Sequence, residues 1–139
     1  EAIEDGIVVA EFPTTIEAAK ASHSNGLSVL MGAPNVVRGK SHSGNISARE
    51  LASQNMLDIL SSDYVPFALL YGAILLERHC DGVTLPDAIA TISRNPASQV
   101  GLNDRGDISS GKLADLVRYR NQEDVPKIIE VWREGKRVA

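Results

Sequence analysis

Arg38, Lys40 and His42 recur at every second position near the end of the stretch Met31 to Asn45. The hydroxyls of Ser41 and Ser43 lie between and beside them, and the amides of Asn35 and Asn45 lie to either side. Guanidinium and ammonium groups give charge-assisted hydrogen bonds to anions, and the backbone at Gly32, Gly39 and Gly44 can expose N–H groups. The chemistry suggested is capture of a phosphate-bearing anion. A polar surface loop is the alternative reading of the same residues. A long irregular connection in a compact chain is usually functional or disordered. The apolar run Leu27 to Met31 leads in and a helix from Ser47 to Asn55 leads out, so both ends are anchored and disorder is the weaker reading.

Asp63 is the second chemical candidate. It follows an apolar segment, Leu57 to Leu60, and precedes Tyr64-Val65-Pro66. A carboxylate there can bind a metal or take a proton from water. It can equally serve as a helix N-cap.

The elements that must position these groups follow from patterning. Ile7 to Ala10 is a continuous apolar run suited to a strand covered on both faces. Thr14 and Glu17 have capping-box spacing, which predicts a helix from Thr14 to about Asn25, stopped by Gly26. Leu27 to Met31 is the next strand, the Met31 to Asn45 loop follows, and Ser47 with Glu50 caps the next helix. Leu57 to Leu60 is the third strand. Pro66 opens a helix through His79, Thr84 caps Leu85 to Ser93, and Asn95-Pro96 opens a turn ending at Gly101. From Gly106 the texture becomes short β runs: Asp115 to Tyr119, Ile128 to Trp132 and Lys136 to Val138.

Alternating strands and helices predict an α/β fold built from βαβ units, in which chemistry collects on loops at the carboxyl ends of the strands. Those ends carry Glu11 to Thr14, Asn35 to Asn45, and Ser61 to Tyr64. The predicted organisation is an α/β catalytic part over residues 1–105 and a small β segment over 106–139.

The 139 residues suit one ordinary domain. The net charge of -4 and an aromatic content of 4% argue against nucleic-acid binding. The longest apolar stretch, Phe67 to Leu76, is too short to span a bilayer, so no membrane partner is expected. Cys80 is the single cysteine, read as a buried thiol at a helix end and in keeping with a cytoplasmic location. His23 and His79 are read as structural.

The tail Gly106-Asp107-Ile108-Ser109-Ser110-Gly111-Lys112-Leu113-Ala114-Asp115-Leu116-Val117, with Val131 to Val138, resembles the closing β segment of the metal-dependent amidohydrolase superfamily. Glu11-Phe12-Pro13-Thr14-Thr15, Met31-Gly32-Ala33-Pro34-Asn35, Arg38-Gly39, Ser41-His42-Ser43-Gly44-Asn45 and Ser61-Ser62-Asp63-Tyr64 narrow the match. They resemble the phosphonate-degradation diphosphatases within that superfamily, and the likeness covers essentially the whole chain. It implies a (β/α)8 barrel of which this chain is the carboxyl-terminal part, strands six to eight, followed by a segment of the composite β domain. The chain starts at Glu1 and not Met, and the superfamily's paired histidines, bridging lysine or glutamate and strand-five histidine would all precede it. A fragment of a longer protein is therefore the expectation.

The same resemblance implies roles. Asp63 becomes a metal ligand and the base that activates water. Glu11 is a second metal ligand, or a hydrogen-bonding or capping carboxylate. Asn35, Arg38, Lys40, Ser41, His42, Ser43 and Asn45 hold a ribose-linked triphosphate, and His42 could instead bind metal or protonate a leaving phosphate. Lys40 stands where a second glycine would be expected after Arg38-Gly39, adding charge to the loop. The implied cofactor is a divalent metal, zinc by expectation, and the implied partners are a phosphorylated small molecule and further copies in a homo-oligomer. An amidohydrolase acting on a C–N bond and an inactive half-barrel that only assembles are the competing readings.

Overall fold

The computed structural model describes residues 6–41, 44–123 and 125–139. Strands β1 (Val9–Glu11), β2 (Ser28–Gly32) and β3 (Ile59–Ser61) form a parallel sheet in that order. Leu30 of β2 pairs with Glu11 on one side and Ile59 on the other, and Gly32 pairs with Ser61. Helices α1 (Ile16–Ser24), α2 (Ala33–Arg38), α3 (Ala48–Ser53), α4 (Ala68–His79), α5 (Leu85–Ala90) and α6 (Arg94–Gln99) fill the chain between and after these strands. Strands β4 (Leu116–Gln122), β5 (Val125–Arg133) and β6 (Lys136–Arg137) then make an antiparallel sheet.

Two of the three apolar runs read as strands lie in the core. Ile7 to Ala10, expected to be covered on both faces, does not, because β1 begins only at Val9 and has no buried residue, and Ile7 and Val8 are exposed. Val29, Met31 and Leu60 are buried in one cluster with Val36, Leu51, Leu75 and Leu76 from the helices, and Ile59 is buried as well. Parallel strands buried on both faces need such unbroken apolar sequence. Helix α4 comes close to α2 because Gly72 carries no side chain: a Cβ there would stand 3.0 Å from the Ala33 Cβ.

Ser47 caps α3 as expected, its Oγ accepting from the Glu50 N–H at 3.1 Å. Thr84 and Asp87 form a reciprocal capping box at α5. The cap of α1 is a correction, since Thr15 and not Thr14 accepts from the Ala18 N–H. The helix expected from Pro66 begins at Ala68, after a turn in which the Ala68 N–H donates to the Val65 carbonyl. The stretch Met31 to Asn45 is no continuous loop either. Helix α2 occupies its first half, with Gly32 as N-cap, a proline in the first turn and Gly39 at φ 74° as C-cap. Proline at a helix start and left-handed glycine at its end are helix boundaries as much as loop markers.

At the amino end of the sheet, one Asp58 carboxylate oxygen accepts from the Val29 N–H at 2.7 Å and lies 2.6 Å from His23 Nε2. His23 is thus structural, as its mid-helix position suggested. Cys80 is buried at the C-cap of α4, with Sγ 3.6 Å from the Arg49 carbonyl, and burial pushes its thiol up. No helix among the described residues is long and apolar enough to cross a membrane.

The outer edge of β1 has no strand beside it among the described residues, whereas the Leu60 N–H of β3 donates to the Thr91 carbonyl. Ile7, Val8, Phe67 and Ile108 are exposed, Ile108 at 90%.

Candidate functional site

The three parallel strands point their carboxyl ends the same way, and a cleft of about 290 Å³ opens there. Asn35, Arg38, Ser41, Asn45 and Asp63 all line it, together with Phe12, Pro13, Gly32, Ile46 and Tyr64. Residues as far apart as Phe12 and Tyr64 therefore meet at one sheet edge, where βαβ topology collects binding groups. Glu11 ends β1 and is exposed, but Phe12 and Pro13, not Glu11, line the cleft. Lys40 is exposed beyond the lining. His42 and Ser43 lie outside the described residues.

Helix α2 carries Arg38 in its last turn, and three bonds hold it and the following loop. The Ala48 N–H donates to Asn35 Oδ1 at 2.9 Å, Arg49 Nε donates to the Val36 carbonyl at 2.9 Å, and the Ile46 N–H donates to the Thr14 carbonyl at 3.1 Å. The Asn35 oxygen is thereby fixed at the start of α3, and its NH2 end supplies the donors that an anion would use. Arg49 also packs over Gly39, its guanidinium carbon 3.3 Å from where a Cβ would stand.

Asp63 sits in a tight turn closed by the Val65 N–H donating to the Ser62 carbonyl at 3.1 Å. Its φ of 52° is left-handed, a conformation that Asp tolerates better than most residues. The carboxylate lies over Gly32, so that a Cβ on Gly32 would come within 2.7 Å of Asp63 Oδ2. Asp63 is exposed and makes no hydrogen bond or ion pair with any described residue. It caps no helix, since Phe67 is the N-cap of α4. The capping alternative is thereby removed, and Asp63 lines the cleft.

Phe12, directly after β1, also has a left-handed φ of 52°, which is unusual for a bulky residue and places a second strained position on the same rim.

Arg38, at the last turn of α2, donates from Nη1 to the Tyr64 hydroxyl, and its guanidinium carbon is 6.0 Å from the Tyr64 ring centroid. Tyr64 and Gly32 were not recognisable as site residues from spacing. The first acts across 26 positions of sequence, and the second acts by lacking a side chain.

Zinc takes three or four protein ligands, drawn from N, S or carboxylate donors. The partner-free Asp63 carboxylate suits one such position. Among the described residues, however, no group of three or more His, Cys, Asp or Glu comes together that could hold a metal ion. The described donors therefore do not make a metal site by themselves.

Comparison with known proteins places this geometry. A model of the amidohydrolase family matches residues 13–139. Alpha-D-ribose 1-methylphosphonate 5-triphosphate diphosphatase of Escherichia coli strain K12 is 53% identical over 134 residues, covering 96% of this chain and 35% of that protein. An adenine deaminase of Lactobacillus delbrueckii subsp. bulgaricus is 35% identical over 80 residues, which are 55% of this chain and 14% of that one. A dihydroorotase of Methanopyrus kandleri is 27% identical over 118 residues, 73% of this chain and 27% of that one. The crystal structure of an amidohydrolase from Thermotoga maritima MSB8 superposes with a TM-score of 0.59 at 17% identity, over 94% of this chain and 43% of the other, a likeness of fold alone. The chain spans about a third or less of the length of these curated relatives.

Proposed function

The chain belongs to the amidohydrolase family, and from that premise we propose that it is the carboxyl-terminal part of a diphosphatase of phosphonate breakdown. The substrate proposed is ribose 1-methylphosphonate 5-triphosphate, cleaved to the 5-phosphate and pyrophosphate. The observation that carries this reading is the cleft at the strand ends, lined by both Arg38 and an Asp63 carboxylate that no described residue engages. Identity of 53% to the Escherichia coli diphosphatase over nearly the whole chain supports the substrate class. In architecture, β1 to β3 are proposed as strands six to eight of a (β/α)8 barrel, with residues 1–105 as its catalytic part and 106–139 as a separate β segment. A cytoplasmic location is part of the proposal, in keeping with the unpaired Cys80.

The chemistry follows from the side chains. Arg38, with the NH2 of Asn35 and the polar groups of Ser41 and Asn45, holds the phosphate chain and spreads its negative charge over several donors. Lys40, His42 and Ser43 are assigned to the same cradle. Asp63 takes the proton of a water whose oxygen bonds to the phosphorus nearest the ribose as the bond to the pyrophosphate oxygen breaks. The divalent metal, zinc by expectation, is kept in the proposal with Asp63 and Glu11 as its donors on this chain. The rest of its ligands must come from elsewhere, and no step is assigned to it.

In the full-length protein, Arg38→Ala should raise KM for the triphosphate about 10-fold, the loss of a charge-assisted contact in a solvated cleft, with a smaller change in kcat. Steady-state pyrophosphate release measures this, and an unchanged KM would remove Arg38 from the cradle. The adenine deaminase and dihydroorotase likenesses favour a second reading, hydrolysis of a C–N bond. Ammonia release or ring opening without pyrophosphate release would establish it.

The open outer edge of β1 and the exposed Ile7, Val8, Phe67 and Ile108 call for cover. Prepared alone, the 139-residue chain should therefore run in light scattering at a multiple of its 14.9 kDa mass. A well-behaved monomer would contradict the exposed-edge argument. A homo-oligomer of the full-length protein is a separate proposal, since there the preceding strands of the proposed barrel would cover the β1 edge.

A further inference from the structure

Resting on the diphosphatase reading, we infer that Tyr64 is a positioning residue for phosphate-chain binding, acting through Arg38. Arg38 ends the short helix α2 and is exposed, and an exposed arginine has wide rotamer freedom that a ligand would have to quench. The only side-chain hydrogen bond it makes to a described residue runs to the Tyr64 hydroxyl, and the tyrosine ring lies beside the same guanidinium. One of five guanidinium N–H groups is thereby used to fix the arm, and the others stay available for phosphate oxygens. Ordering the arm before the ligand arrives lowers the entropy lost on binding.

The sequence neighbour of Tyr64 gives this contact its importance. Tyr64 directly follows Asp63 in the turn closed between Ser62 and Val65. One turn therefore sets both the carboxylate and, through the phenol, the guanidinium, fixing the spacing between the group proposed to receive the proton and the group proposed to hold the phosphates. Tyr64 is itself 64% exposed, so its hydroxyl contributes little to the core and can be removed without cost to folding.

The test uses full-length protein and inorganic triphosphate as the probe, titrated calorimetrically, alongside pyrophosphate release from the ribose triphosphate. Tyr64→Phe, which keeps the ring, should weaken triphosphate binding about 3- to 10-fold, a range set by a partly solvated bond to a charged donor. In turnover the loss should fall on KM, with kcat changing less. In an Arg38→Ala background the same substitution should add no further loss, since the residue works through Arg38. Wild-type affinity in Tyr64→Phe overturns the inference. So does an equal loss in both backgrounds, which would mean that the phenol touches the phosphate itself. A wild-type protein that neither binds triphosphate nor releases pyrophosphate overturns the diphosphatase reading and this inference together. Turnover with an inert Tyr64→Phe change overturns the inference alone.

Discussion

Asp63→Asn in the full-length protein is expected to lower kcat for pyrophosphate release by about 10²- to 10⁴-fold, the range over which a positioned general base contributes. The substitution keeps the size and planarity of the side chain and exchanges one carboxylate oxygen for an amide. The exposed carboxylate engages no described residue, so folding loses no hydrogen bond. The left-handed φ of 52° is also one that Asn tolerates as readily as Asp. Thermal unfolding should therefore move by no more than a surface substitution moves it, while turnover collapses. The comparison separates a chemical role from a structural one, because a capping or folding role would lower stability together with activity. Wild-type-like turnover would remove Asp63 from the mechanism. Asp63→Ala should lose as much activity as Asp63→Asn, which distinguishes the loss of a base from the effect of a new amide.

Much of this arrangement was legible in the residues, for physical reasons that also mark where legibility ended. The strands were readable because parallel strands covered on both faces need unbroken apolar runs, and Leu27 to Met31 and Leu57 to Leu60 are such runs. Their bounds shift by one or two residues, since pairing and not hydropathy sets the ends: Gly32 and Ser61 pair with each other and close β2 and β3. Local chemistry identified the caps at Ser47 and Thr84, whose partners lie three residues away. It misassigned the cap of α1 because Thr14-Thr15 offers two adjacent hydroxyls, and the pattern Thr14 to Glu17 does not reveal which one faces the helix. Helix α2 is hidden because Gly32, Pro34 and Gly39 are loop formers by residue type, whereas here each holds a boundary position of a helix of six residues.

The site divides in the same way. Topology alone brings Asn35, Arg38, Ser41, Asn45 and Asp63 to one edge, so their convergence could be anticipated from strand order. What they touch could not. The pairing of Arg38 with Tyr64, the use of the Asn35 oxygen by Ala48 and the stacking of Asp63 over Gly32 depend on side-chain directions that no periodicity encodes. Glu11 shows the converse: it sits at the end of the correct strand, yet its neighbours Phe12 and Pro13 line the cleft in its place.

Gly32→Ala follows from that stacking and should cost about 10²-fold in kcat, the loss that a displacement of about 1 Å can cause at a reacting centre. The backbone of Gly32 has φ -75° and ψ 131°, which any residue adopts, so alanine brings no strain of its own. Its Cβ, however, would stand 2.7 Å from Asp63 Oδ2, 3.3 Å from Asp63 Cβ and 3.4 Å from Asp63 Cγ. Something must give, and the strand cannot readily do so: Gly32 pairs with Ser61, and the rest of β2 is held in register on both sides. The exposed Asp63 side chain, tied to no described residue, is the freer of the two and swings away from the cleft. Stability should therefore fall far less than activity, and KM should change less than kcat, because Arg38 and Asn35 stand on α2 and keep their contacts. In the Asp63→Asn background Gly32→Ala should add little, since the group it displaces no longer carries the chemistry. Full turnover in Gly32→Ala would mean that the position of the Asp63 carboxylate over β2 has no bearing on the reaction.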